Sequence, residues 1–161
     1  MRFYLLINGK RMTEEIASEM EKKGFKAMEV YGPYDLLVEG TIKDDPQVNR
    51  NLFNEIVNPI VQRGVKCTTY LTAVESEEKE IEERMRLIYL LIDVDPRKVT
   101  SIQTELLKIE EVKKVDIVYG PFDVIAHLAV RDTEHLRHVI REIEDMPSVI
   151  STCTLFPFKG L

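Results

Sequence analysis

At 161 residues, with 44% hydrophobic and 31% charged side chains, the chain has the composition of an ordinary globular protein and room for one large domain or two small ones. A formal net charge of -6 and an isoelectric point near 5.2 argue against nucleic acid as a direct partner, because modules that bind it carry a clustered basic face. No apolar run approaches membrane length, the start at Met1 leads straight into strand-like sequence, and Cys67 and Cys153 lack metal-type spacing, so a cytoplasmic protein with reduced thiols and no membrane partner is expected.

The short apolar run 3–7 predicts a strand, and Asn8-Gly9 turns the chain. Thr13, followed by Glu14 and Glu15, reads as an N-cap for a helix with Ile16, Ala17 and Met20 on its apolar stripe, stopped by Gly24. Residues 26–31 and 36–38 predict two strands joined through Gly32-Pro33. After Asp44 and Asp45, Pro46 opens a helix bearing Val48, Leu52, Phe53, Ile56 and Val57, which Pro59 interrupts or kinks, and 65–73 is a fourth strand.

The charge run Glu75-Ser76-Glu77-Glu78-Lys79-Glu80 has no apolar face and reads as a linker or a solvated extension. The pattern then restarts: a strand at 87–94, a helix capped by Asp95-Pro96 with Val99, Ile102, Leu106 and Ile109, and strands at 112–119 and 124–130. A helix capped near Asp132 or Thr133 carries Leu136, Val139, Ile140 and Ile143, and a strand at 149–156 closes the chain. The expected boundaries are a first repeat at 1–75, a linker at 76–84 and a second repeat at 85–161.

Val30-Tyr31-Gly32-Pro33-Tyr34-Asp35 and Val118-Tyr119-Gly120-Pro121-Phe122-Asp123 agree at five of six positions, which chance produces among all window pairs only a few per cent of the time. Each copy lies in the hairpin between the second and third strands of its half. The expected fold is therefore α+β, two tandem ferredoxin-like βαββαβ repeats with both helices on one face of an antiparallel sheet. Alternation assigns Val124, Ala126, Leu128 and Val130 to the helix-covered face, and Asp123, Ile125, His127 and Ala129 to the other. The helix-free set also takes Asp35, Leu37, Glu39 and Thr41, with Thr68, Tyr70 and Thr72 from the fourth strand and Thr152 and Thr154 from the last. Such faces are too apolar for water, so they are expected to pack on each other or on another chain.

A βαββαβ repeat with Gly-Pro-aromatic-Asp in its central hairpin and Thr in its final strand resembles the ligand-binding domain of the Lrp/AsnC family, the RAM domain. The resemblance covers 86–158, from Ile88-Tyr89-Leu90-Leu91-Ile92 through Ser151-Thr152-Cys153-Thr154, and more loosely 2–73. In that family the domain pairs through its sheet, pairs assemble into rings, and small effectors, typically amino acids, bind between neighbouring dimers. The resemblance thus implies a fused pseudo-dimer of dimeric α/β-barrel type that self-associates, binds an amino-acid effector and partners full-length Lrp/AsnC regulators. It also implies ligand-binding residues: Gly32, Tyr34 and Asp35, Gly120, Phe122 and Asp123, and the hydroxyls of Thr68, Thr72, Thr152 and Thr154. A carboxylate there would pair with the ammonium of an amino acid, while hairpin N–H groups and hydroxyls meet its carboxylate. Family regulators carry an N-terminal helix-turn-helix where this sequence has its first repeat, so direct DNA binding is not expected.

Each of these features also has a plainer reading. Gly and Pro make turns and Asp caps backbone N–H groups, so the hairpin motif is open to a purely structural role, and the chain to that of an oligomerisation module. His135 and His138 stand on one helix turn without a third ligand at matching spacing, and neither cysteine has a local His or acid signature, so no metal and no nucleophile is assigned. No phosphate-binding, dinucleotide or hydrolase motif is present. The expectation is a protein without cofactor or catalysis, and a small enzyme of ferredoxin-like fold is the remaining alternative.

Overall fold

The computed structural model describes residues 1–43 and 45–158; Asp44, named above ahead of the second helix, and the C-terminal Lys159, Gly160 and Leu161 lie outside the described residues. The chain divides into two compact units, Met1–Thr72 and Ala73–Leu161.

The first unit contains β1 (Arg2–Asn8), α1 (Thr13–Lys22), β2 (Lys26–Tyr31), β3 (Leu36–Thr41), α2 (Val48–Leu52), a π-helical stretch (Phe53–Val57), α3 (Asn58–Val61) and β4 (Lys66–Val74). β1 pairs antiparallel with both β3 and β4, and β2 with β3, so the strands lie in the order β4, β1, β3, β2. The second unit repeats this with β5 (Arg86–Val94), α4 (Val99–Leu107), β6 (Val112–Tyr119), β7 (Val124–Val130), α5 (Thr133–Glu144) and β8 (Val149–Pro157). Its order is β8, β5, β7, β6, again antiparallel. Both units therefore have the ferredoxin-like topology, in which the first strand lies centrally because both crossovers return over the same face.

Each helical layer covers one face. In the first unit Phe3, Leu5, Ile7, Leu36 and Val38 pack beneath Ile16, Met20, Leu52, Ile56 and Ile60. In the second, Ile88, Leu90, Ile92, Val124, Ala126 and Leu128 pack beneath Ile102, Leu106, Leu136, Val139 and Ile143. Burial of a Leu or Ile side chain stabilises by about 1.5–3 kcal/mol, so these two clusters hold the layers together. The alternate positions are buried as well: Tyr4, Leu6, Leu37 and Tyr70 in one unit, and Tyr89, Leu91, Ile125 and Ala129 in the other.

The second helix of the first unit departs from its expected form. Pro46 stands in a turn and the helix begins at Val48. The wider π turn at Phe53–Val57 rotates the apolar stripe, which keeps Ile56, Val57 and Ile60 inside and leaves Phe53 57% exposed. Pro59 lies within the continuous helical run 48–61, directly after the π stretch, and supplies no N–H to the turn before it. Thr13 is the first residue of α1 and its hydroxyl donates to the Lys10 carbonyl at 3.1 Å, so it does not act as the N-cap. Asp132 does cap α5, accepting from the His135 N–H at 2.8 Å.

The charge run is not wholly solvated, contrary to the sequence expectation. Glu75 pairs with Lys114 at 2.6 Å, the Ser76 hydroxyl accepts from the Val115 N–H at 2.8 Å, and the Lys79 N–H donates to the Lys113 carbonyl at 2.8 Å. The segment is thus bound along β6.

Candidate functional site

The two hairpins are built alike by three backbone and side-chain bonds. In the first unit the Val30 N–H donates to the Asp35 carbonyl and the Asp35 N–H to the Ile7 carbonyl, each at 3.0 Å, while Asp35 Oδ2 accepts from the Lys10 N–H at 3.3 Å. In the second, Val118 donates to Asp123 at 2.9 Å and Asp123 to Ile92 at 3.1 Å, and Asp123 Oδ2 accepts from the Val94 N–H at 3.0 Å. Each aspartate thus ties the tip of its hairpin to the end of the central strand. Gly32 has φ 139, which disfavours any side chain at that corner. Gly32 and Asp35 are exposed and Tyr34 is half-buried; Gly120 is exposed, and Phe122 and Asp123 are half-buried.

In each unit the structure brings the glycine, the aromatic residue and the aspartate of the hairpin together, and of the four threonines it places Thr68 and Thr72 on the expected helix-free face but not Thr152 and Thr154. Thr68 is opposite Leu6, which is also opposite Leu37, so it shares the helix-free face near the first hairpin. Thr72 lies one step past the Phe3–Leu71 pair, alongside Arg2, roughly 16 Å down β1 from the hairpin at about 3.3 Å per residue. Thr152 and Thr154 are opposite Ile92 and Leu90, residues of the helix-covered core, and the Thr152 hydroxyl donates to Glu144 of α5 at 2.9 Å. Their assignment to the helix-free face is therefore corrected. In β8 the sets Thr152, Thr154, Phe156 and Ser151, Cys153, Leu155 are nearly equal in polarity, so alternation alone does not choose between them; Phe156 packs against the core and carries the threonines with it.

The residues that do share the second hairpin's helix-free face are Asp93 and Ser151, neither of which the sequence reading selected. Asp93 pairs with Ser151 in register, and one step beyond the Ile92–Val124 pair it faces Asp123 across β5 and β7. Burial, and then the hydrogen bond and charge of Asp123, push the Asp93 carboxyl above its ordinary value, against a lowering hydrogen bond from Ser151. The corresponding positions of the first unit, set by the equivalent Ile7 and Ile92 carbonyls, hold Asn8 and Lys66. The second rim is therefore a facing pair of carboxyls, whereas the first has a single one beside a cation.

The remaining candidates have structural partners. His135 Nδ1 accepts from the Arg131 N–H at 3.0 Å and Nε2 lies 3.3 Å from Glu111. Burial pushes the Cys67 thiol up to about 11 and also raises that of Cys153, so both stay protonated near neutral pH and are poor nucleophiles. Among the described residues no group of three or more His, Cys, Asp or Glu could hold a metal ion, and no helix is long and apolar enough to cross a membrane.

A ferredoxin-like unit with an aspartate-pinned central hairpin defines the class of module. Residues 87–161 match the family model of the Lrp/AsnC ligand binding domain. Over 67 residues the chain is 33% identical to an uncharacterised HTH-type transcriptional regulator of Pyrococcus abyssi (strain GE5 / Orsay), covering 41% of this chain and 42% of that protein. The chain thus spans less than half the length of this curated relative. In fold it is similar to the siroheme decarboxylase NirDL, solved with an iron-uroporphyrin III analogue, at a TM-score of 0.72 and 8% identity over 98% of this chain and 71% of that one. It is also similar to an anthrone oxidase-like protein, at 0.53 and 10% identity over 97% and 90%. At these identities the likeness is one of fold alone.

Proposed function

We propose that the chain is an effector-binding and assembly module of a regulatory system, one that senses an amino acid at the hairpin rim of its second unit and does not itself bind DNA. The match of residues 87–161 to the Lrp/AsnC ligand binding domain carries this reading, and the relation to an HTH-type transcriptional regulator supports its regulatory part. The chemistry is suited to the ligand. An ammonium group placed between Asp93 and Asp123 relieves the repulsion of two facing carboxyls, and Ser151 offers a hydroxyl beside them. Phe122 and the exposed Tyr119 provide aromatic surface for a side chain. The formal charge of -6 fits a module that works through protein partners, namely further copies of itself and full-length Lrp/AsnC regulators in the cytoplasm.

Thermal melts against the twenty amino acids test the reading. A ligand at 100 times its Kd adds about 2.7 kcal/mol, which for a chain of this length raises Tm by roughly 5–10 °C. Asp123→Asn, which keeps an acceptor for the Val94 N–H but removes the charge, is expected to abolish that response. If no amino acid shifts Tm, or the variant responds like the native chain, this reading fails.

A further inference from the structure

We infer that the rim of the second unit selects an amino acid whose side chain ends in a primary ammonium, as in lysine or ornithine, and holds that ammonium among Asp93, Asp123 and the hydroxyl of Ser148. The inference rests on the reading of that rim as an amino-acid site and adds the class of amino acid. Ser148 is an observation independent of the two carboxyls. It is 9% exposed and its hydroxyl oxygen has no hydrogen-bond partner. A buried hydroxyl is costly to leave unpaired, so its retention calls for a donor from outside the chain.

The β ladder brings this hydroxyl to the same end of β5. Val94 is opposite Val149, and the Asp95 N–H donates to the Ser148 carbonyl at 2.8 Å. Val149 packs against the helix-covered core, so alternation puts Ser148 on the helix-free side with Asp93 and Ser151. Asp123 reaches the Val94 N–H from β7, while Ser148 approaches from β8. Asp93, Phe122 and Asp123 are half-buried and Ser151 is exposed, which leaves the rim open to a ligand.

Donor count and charge then select the ligand. A primary ammonium has three N–H donors, matched here by two carboxyls and one hydroxyl oxygen. An α-ammonium has the same donors but brings its own carboxylate one carbon away, against Asp93 and Asp123. Positions 93, 122, 123, 148 and 151 hold no Lys or Arg to receive that charge, and Arg97 is 86% exposed and paired with Asp95 at 3.0 Å. A side-chain ammonium avoids the conflict, because its methylenes separate it from the zwitterionic head and lie along Phe122. In the first unit Asn8 and Lys66 take the places of Asp93 and Ser151, so that rim does not share the preference.

The test is calorimetric titration of the full chain at constant ionic strength with three ligands: lysine, norleucine, which lacks the terminal ammonium, and Nε-trimethyllysine, which keeps the charge without its donors. Lysine should bind roughly tenfold or more tightly than either, the factor that charge-assisted hydrogen bonds supply. Asp93→Asn and Ser148→Ala, with folding checked by melts, should each weaken lysine roughly tenfold and narrow its lead over norleucine, whereas a merely structural role would weaken both ligands alike. Norleucine binding as tightly as lysine, with both lost in Asp123→Asn, overturns this inference and leaves the amino-acid reading standing. Undiminished binding of trimethyllysine, or of lysine to Asp93→Asn, also overturns it. Silence from every amino acid overturns both.

Discussion

Asp93 faces Asp123 across two paired strands, and like charges in that position oppose folding by a few tenths to about 1 kcal/mol. The sign of the pH dependence follows from which state binds the proton more firmly. The folded chain raises the Asp93 carboxyl above its ordinary 3.8, so the folded state holds the proton longer, and stability falls as pH rises from that value through the raised one. Asp93→Asn keeps the hydrogen bonds to Asp123 and Ser151 without the charge. It should therefore stabilise at pH 7 by on the order of 0.5 kcal/mol and give no gain near pH 3.5, where the native carboxyl is protonated. Melts at the two values decide this: an equal effect at both would mean that repulsion between the two carboxyls is not its source. Sequence reading reached Asp123 through its repeat but not Asp93, because a cross-strand pair thirty residues apart has no local signal. The only hint was an aspartate interrupting the apolar run of β5.

At the scale of elements, what was legible depended on contrast between the two faces of a strand. In β7 the valine and leucine set stood apart, and strands 26–31, 112–119 and 124–130 have the bounds that their apolar runs indicated. In β8 the two sets had the same polarity, and the face was misassigned. The helix at 48–61 followed its stripe until the π turn displaced Phe53; Pro59 marks an irregularity there, but not its register. One element-level feature depends on the absence of a side chain. Gly40 in β3 lies under the edge-to-face pair of Phe3 and Phe25, whose rings are 5.1 Å apart, and a Cβ there would come within 2.5 Å of Phe25 and 2.6 Å of Phe3. Phe3 is fully buried and has no room to retreat. Gly40→Ala should destabilise by about 1–3 kcal/mol through overpacking, read as a lower denaturant midpoint at unchanged slope. A neutral outcome would show that Phe25, which is only half-buried, swings aside.

For the molecule as a whole, a duplicated unit brings two similar rims but not two equal ones, since Asn8 and Lys66 stand where the second unit has Asp93 and Ser151. The stretch following the first unit is equally particular. A charge run without an apolar face ordinarily reads as a tether, yet here alternate polar groups of 75–79 meet β6, and the Lys79 ammonium reaches the Leu107 and Ile109 carbonyls at the end of α4. The Leu107 carbonyl is the last of α4 and lacks a helical donor, so a lysine there is favoured both by hydrogen bonding and by the helix dipole. Native-state hydrogen exchange reports directly on this attachment. The Lys79 amide, bonded to Lys113, and the Val115 amide, bonded to the Ser76 hydroxyl, should be protected, while the exposed Glu77 and Glu78 exchange freely. Ser76→Ala leaves the Val115 N–H without its acceptor and should cost about 1 kcal/mol along with that amide's protection. Free exchange at Lys79 in the native chain would make the run a tether after all.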